Sequence, residues 1–193
     1  MSLDQYLKTH KKTHLIFDLD KTLARLILPW NLVLDGIKDQ LAKIDKSILK
    51  KYENGKFNLA QLENSYVKKD RKTKDLFIKN RTKFETKYLK EIVPNQKLTD
   101  FIKKNNQYKF YVWSSNTKSA SEKVLKKLGV FKKFQKIITR NDVDFIKPEA
   151  EGFYKIYDPK LSKENYLFIG NSSYDGQAAK TAGIDFYLED YFK

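Results

Sequence analysis

The sequence predicts an α/β protein, a parallel sheet covered by helices on both faces and interrupted once by an all-helical insertion. Three observations carry this expectation. Short apolar runs alternate with single helical patterns over the second half of the chain, the signature of βαβ units. The first apolar run is separated from the second by about ninety residues, far more than one crossover helix needs. The residues that follow the runs are carboxylates, hydroxyls and a lysine, and ligands bind outside the carboxyl ends of the strands of such a sheet.

In chain order, the first strand is His14 to Leu19, within "HLIFDLDKTLARL". The insertion reads as helical throughout. Leu32, Leu34, Ile37, Leu41 and Ile44 suit one helix, and Leu59, Leu62 and Tyr66 a second. Leu76, Phe77, Phe84, Tyr88 and Ile92 suit a third, with Pro94 closing it. Asn54-Gly55 marks a turn. The boundaries expected are 1–24 and 95–193 for the core and 25–94 for the insertion. The inserted helices should pack on themselves and touch the core mainly at two hinges, near Leu26 to Pro29 and near Val93 to Asn95. Further strands follow at Tyr108 to Trp113, Lys136 to Thr139 and Tyr166 to Ile169, with a weaker one at Asp185 to Leu188. Between them, "TKSASEKVLKKLGV" sets Ala120, Val124, Leu125 and Leu128 on one helical face and stops at Gly129, while "SYDGQAAKTAGI" stops at Gly183.

Composition narrows the function. There is no Cys, which excludes disulfides and thiolate metal sites. Apolar runs are far shorter than a membrane span, and "MSLDQYLKTHKKT" contains no apolar signal segment, so a cytoplasmic protein without membrane contact is expected. The formal net charge is +15, but the lysines are spread along the whole chain, as on the polar faces of helices. A solvated basic surface is therefore favoured over a nucleic-acid groove. No obligate protein partner is evident.

The chemistry gathers at the strand ends. Asp18, Asp20 and Thr22 follow the first run. Ser114, Ser115 and Asn116 follow the second. Lys147 precedes Pro148 in the loop after the third, and Asn171, Ser172 and Asp175 follow the fourth. Oxygen ligands and a lysine suit a phosphate and Mg²⁺. Side chains two apart on an extended strand point the same way, so Asp18 and Asp20 can face one phosphate.

These stretches resemble the haloacid dehalogenase superfamily. "FDLDKTL" is similar to its first motif, hhhhDxDxT, and the other strand ends resemble its second to fourth motifs in order. The resemblance covers the Rossmann-like core, and the insertion falls where that superfamily carries its C1 cap. It implies a Mg²⁺-dependent phosphomonoester hydrolase acting on a small phosphorylated metabolite. Asp18 would be the nucleophile that becomes an aspartyl-phosphate, Asp20 the general acid and base, and Lys147 the cation that keeps Asp18 ionised and contacts phosphate. Thr22 would support the loop. Ser114, Ser115 and Asn116 supply the phosphate contacts; the spacing to Gly129 picks Ser114, with Ser115 as the alternative. The metal set would be Asp18, Asp20 through its backbone carbonyl, Asn171 and Asp175. Asn171 departs from the pattern, because the fourth motif usually reads GDxxxD. An acid at position 20 argues against dehalogenation, since a halide needs no proton to leave. The alternatives are a nucleotide or nucleic-acid-end phosphatase, a phosphomutase, and a non-catalytic member.

Overall fold

The run His14–Phe17 is buried at every position, as a strand must be when helices cover both faces of its sheet. The computed structural model describes residues 1–192. In chain order the elements are α1 (Leu3–Thr9), β1 (His14–Phe17), β2 (Ala24–Ile27), α2 (Lys38–Glu53), α3 (Leu59–Lys69), α4 (Thr73–Tyr88) and β3 (Glu91–Pro94). They continue with α5 (Gln96–Lys104), β4 (Lys109–Trp113), α6 (Lys118–Lys127), β5 (Phe134–Ile138), α7 (Glu151–Ile156), β6 (Tyr166–Gly170), α8 (Ser173–Ala182) and β7 (Asp185–Leu188).

Five strands form one parallel sheet in the order β5-β4-β1-β6-β7. Its two faces bury separate apolar clusters. One holds Leu15, Phe17, Val112 and Leu167, and the other Ile16, Trp113, Phe153 and Phe168. This alternation along each strand is the period-two pattern of a sheet covered twice. Helix α7 lies so close to β4 that a Cβ on Gly152 would collide with the Trp113 indole, which only glycine avoids. The fold is therefore the expected Rossmann-like α/β architecture, with β1 central and its carboxyl end between those of β4 and β6.

The inserted helices bury a third cluster of their own, including Leu41, Leu62, Tyr66, Phe77 and Phe84. Three expectations need correction. The insertion is not helical throughout: β2 and β3 pair antiparallel where the chain leaves and re-enters the core, and Pro94 ends β3 rather than a helix. The first inserted helix begins at Lys38, after Gly36 turns the chain at φ +84°, so Leu32 and Leu34 precede it in a 3-10 turn and its continuation. Inside α2, Asp45 leaves the helical region and its carboxylate accepts from the Ser47 N–H at 2.9 Å, restarting the helix. Finally, contact with the core is not confined to the two crossings. Helices α3 and α4 also lean over the carboxyl edge of the sheet and bond to its loops. No helix among the described residues is long and apolar enough to cross a membrane.

Candidate active site

Asp18 follows β1 directly, and its own N–H continues the ladder to Ile169 O at 2.9 Å. The next turn is tight: Lys21 takes φ +61°, and the Leu23 and Ala24 N–H groups both bond to Leu19 O. This turn brings Thr22 back beneath Asp18. The Thr22 hydroxyl reaches Asp18 Oδ2 at 3.1 Å and Asn171 Oδ1 at 3.3 Å. On the other side, Lys147 Nζ donates to Asp18 Oδ1 at 2.5 Å, to Asp175 Oδ1 at 2.6 Å and to Trp113 O at 3.1 Å. Asp18, Asp175 and Lys147 are all buried.

One ammonium thus serves two buried carboxylates. Burial raises the Asp18 carboxyl, toward about 7, against the lowering pull of Lys147. Burial works against the Lys147 ammonium, but Asp175 and Asp18 outweigh it and raise its pKa. Negative charge is left in surplus at this point, which is an electrostatic seat for a cation. The donors there fit Mg²⁺: the Asp18 carboxylate and the Asn171 amide oxygen are both oxygen ligands within reach of one hydroxyl. Among the described residues no group of three or more Asp, Glu, His or Cys forms an ion cage.

The expected metal set changes in one member. Asp175 is the third residue of α8, and its Oδ2 accepts from the Ser172 N–H at 3.0 Å and the Ser172 hydroxyl at 2.6 Å. With Oδ1 on Lys147, both oxygens are engaged. Asp175 caps the helix and holds the lysine, and it is not a free ligand.

Asp20 lies at the edge of the cavity, half-buried, with Oδ1 accepting from the Leu26 N–H of β2 at 2.9 Å. Burial raises its carboxyl to about 6, and the bond to Leu26 opposes that shift. After β4, the Ser114 N–H still follows the sheet ladder to Ile138 O. Its buried hydroxyl donates to Asn116 Oδ1 at 3.0 Å and accepts the Asn116 N–H at 3.1 Å, a local turn. Ser115 and Asn116 line the cavity and Ser114 does not, so the choice of Ser114 by its spacing to Gly129 is corrected to Ser115.

The cavity, of about 370 Å³, joins Asp18, Asp20, Ser115, Asn116, Lys147 and Asn171 to residues of the insertion, among them Trp30, Glu63 and Arg81. The helices are docked by buried polar bonds. Asn64 of α3 pairs twice with Ile146, the residue before Lys147, at 2.8 and 3.0 Å. Glu63 Oε2 accepts from Arg140 Nη1 at 2.6 Å, and Arg140 Nε donates to Ser115 O at 2.7 Å. Glu85 of α4 accepts from Asn116 Nδ2 at 3.0 Å, from the Thr117 N–H at 3.1 Å and from the Thr117 hydroxyl. It therefore sits at the amino end of α6, where negative charge is favoured. Arg81 stacks on Trp30, its guanidinium 4.7 Å from a ring centroid, and burial, then Arg140, pull it down to about 10.

Sequence reasoning missed Glu63, Arg81, Glu85 and Arg140. A signal existed: Arg81 and Glu85 share a helical face with Phe77 and Phe84, and Arg140 closely follows a strand end.

A model of the haloacid dehalogenase-like hydrolases matches residues 15–188. No curated protein matches the chain significantly. Similar solved structures include the HAD-hydrolase YfnB from Bacillus subtilis bound to magnesium. It is 22% identical, with 92% of this chain and 86% of that one covered and a TM-score of 0.57. A HAD phosphatase from Thermococcus onnurineus is also 22% identical, over 92% and 86% of the two chains, with a TM-score of 0.56. A protein described as a predicted phosphoglycolate phosphatase from Haemophilus somnus is 19% identical over 95% and 89%, with a TM-score of 0.59. At these identities the structural likeness is one of fold, and it agrees with the family match, which spans both the sheet and the inserted helices. The chain belongs to the haloacid dehalogenase-like hydrolases.

Proposed function

We propose that this hydrolase is a phosphatase, cleaving small phosphate monoesters through an aspartyl-phosphate at Asp18, with residues 25–94 as its cap. The observation that carries the reading is the buried Asp18 carboxylate held between Lys147 and Thr22 at a cavity between the sheet's carboxyl edge and the inserted helices, with a second aspartate at its edge. A cavity of about 370 Å³ is near the lower limit for small-molecule sites, which supports a small ester over a polymer end.

In this reading a carboxylate oxygen of Asp18 attacks phosphorus as the bond from phosphorus to the ester oxygen breaks. Asp20 gives its proton to that departing oxygen, and burial, which raises its pKa to about 6, makes the protonated form easier to reach than in an ordinary aspartate. Asp20 then takes a proton from a water molecule whose oxygen attacks the phosphoryl group. The bond to Asp18 breaks and inorganic phosphate leaves. Lys147 holds Asp18 in place and offsets charge, and the Ser115 hydroxyl, with Asn116, orients the phosphoryl oxygens. Asp18, Asn171 and the backbone carbonyl of Asp20 would hold Mg²⁺, which when bound supplies positive charge to those oxygens. The magnesium bound to YfnB is in keeping with this.

The test is hydrolysis of p-nitrophenyl phosphate and a panel of phosphorylated metabolites, with Mg²⁺ and with EDTA, by wild type and Asp18→Asn. Mg²⁺-dependent release of phosphate by the wild type alone is expected. Equal activity in the variant would overturn the assignment.

A further inference from the structure

Helices α3 and α4 contribute a wall of the cavity whose charges have no role in the steps above. Arg140 pairs with Glu63 at 2.6 Å. Arg81 meets Glu85 only at 3.5 Å, because Glu85 spends its oxygens on Asn116 and Thr117. Two guanidiniums and two carboxylates leave this wall formally neutral.

The bonding of the wall is incomplete in a particular way. Arg81 is 3% exposed and its Nε and Nη1 have no partner, while Glu63 is equally buried and its Oε1 has none. Unpaired buried groups of this kind cost free energy that a bound ligand can recover. Both residues line the same cavity as Asp18 and Asp20. In the phosphatase reading the departing oxygen leaves beside Asp20, and Asp20 lines the same cavity as this wall.

What is missing is therefore both an acceptor for Arg81 and a donor for Glu63. A carboxylate or second phosphate would serve Arg81 only, since it accepts and cannot donate. It would leave Glu63 Oε1 unpaired and repel it. A hydroxyl both donates and accepts, and two neighbouring hydroxyls can serve the pair together.

Building on the phosphatase reading, we propose that Glu63 and Arg81 read the leaving group as a neutral polyhydroxyl, so that the substrate class is a sugar or polyol phosphate rather than a phosphorylated carboxylic acid. Trp30, stacked on Arg81, lines the same cavity.

The test compares kcat/KM of the wild type, with Mg²⁺, for glucose 6-phosphate, sorbitol 6-phosphate, 2-phosphoglycolate and p-nitrophenyl phosphate. At least one polyhydroxyl ester should exceed 2-phosphoglycolate by about tenfold or more, the worth of one charge-assisted hydrogen bond. Turnover of the aryl ester with 2-phosphoglycolate equal to or better than both polyhydroxyl esters would overturn this inference and leave the phosphatase reading standing. So would turnover of the aryl ester alone. No turnover of any ester would overturn the phosphatase reading, and this inference with it. Glu63→Gln gives the wall a net positive charge, and should lower the ratio of polyhydroxyl ester to 2-phosphoglycolate several-fold; an unchanged ratio in folded protein would also overturn the inference. The wild-type comparison decides the matter if that variant does not fold.

Discussion

Lys147 Nζ lies 2.6 Å from Asp175 Oδ1, and the same nitrogen also holds Asp18. The acid that caps α8 thereby fixes the lysine that fixes the carboxylate after β1. The segments that follow β1, β5 and β6 are tied at one atom, and among the described residues no other cation pairs with Asp18. Replacing any of the three groups therefore disturbs the other two.

Asp18→Asn should lower phosphatase turnover by about 10³-fold or more, because an amide cannot form the covalent intermediate. In metal-free buffer the same change should raise the thermal midpoint. It removes one of two buried negative charges that share a single ammonium, and about 1 kcal/mol corresponds to roughly 2–4 °C in a chain of this size. A lower midpoint in EDTA would show that Asp18 is not electrostatically strained.

Leaving-group dependence tests Asp20. Asp20→Asn should slow alkyl phosphates far more than p-nitrophenyl phosphate, whose phenolate leaves without a proton. Equal losses on both would remove Asp20 from proton transfer.

Asn171→Asp should tighten Mg²⁺ about tenfold or more, as a full charge is added beside the Asp18 carboxylate. Calorimetric titration of both proteins with Mg²⁺ measures it. Equal affinities would put Asn171 outside the metal's reach.

Glu85→Ala removes a buried carboxylate and strands the Thr117 N–H and the Arg81 guanidinium. Breaking a buried ionic contact from one side costs about 3–5 kcal/mol, so the urea midpoint should fall sharply. A change within error would mean that the α4 contact with α6 carries no stability.

The sheet was legible because its strands are continuous apolar runs, and the reactive residues because they follow those runs directly. Asp18, Asp20 and Lys147 sit together as their positions after strand ends imply. What escaped was non-local or disguised. β2 and β3 are four-residue pieces, "ARLI" and "EIVP", and only their pairing across the whole insertion makes them strands. Glu63, Arg81 and Glu85 look like ordinary helix-surface charges in a chain with 39 lysines and arginines. Their burial depends on loops that lie elsewhere in the sequence. Ser114 and Ser115 differ only in which one still obeys the sheet ladder, a distinction of backbone direction that composition does not encode.

The β2–β3 pair makes the two chain crossings one mechanical element. Arg25 opposes Val93 and Leu26 opposes Ile92, and Asn95 ties the ribbon's end to Thr22 O and Leu23 O. A two-stranded ribbon twists with little resistance, whereas sliding one strand along the other breaks every bond in the ladder. Were the bonds of α3 and α4 to the sheet's loops released, the ribbon would leave the helical part essentially one torsion against the sheet. Because Asp20 is bonded to Leu26 on that ribbon, such a torsion would also turn the carboxylate toward or away from whatever lies over Asp18.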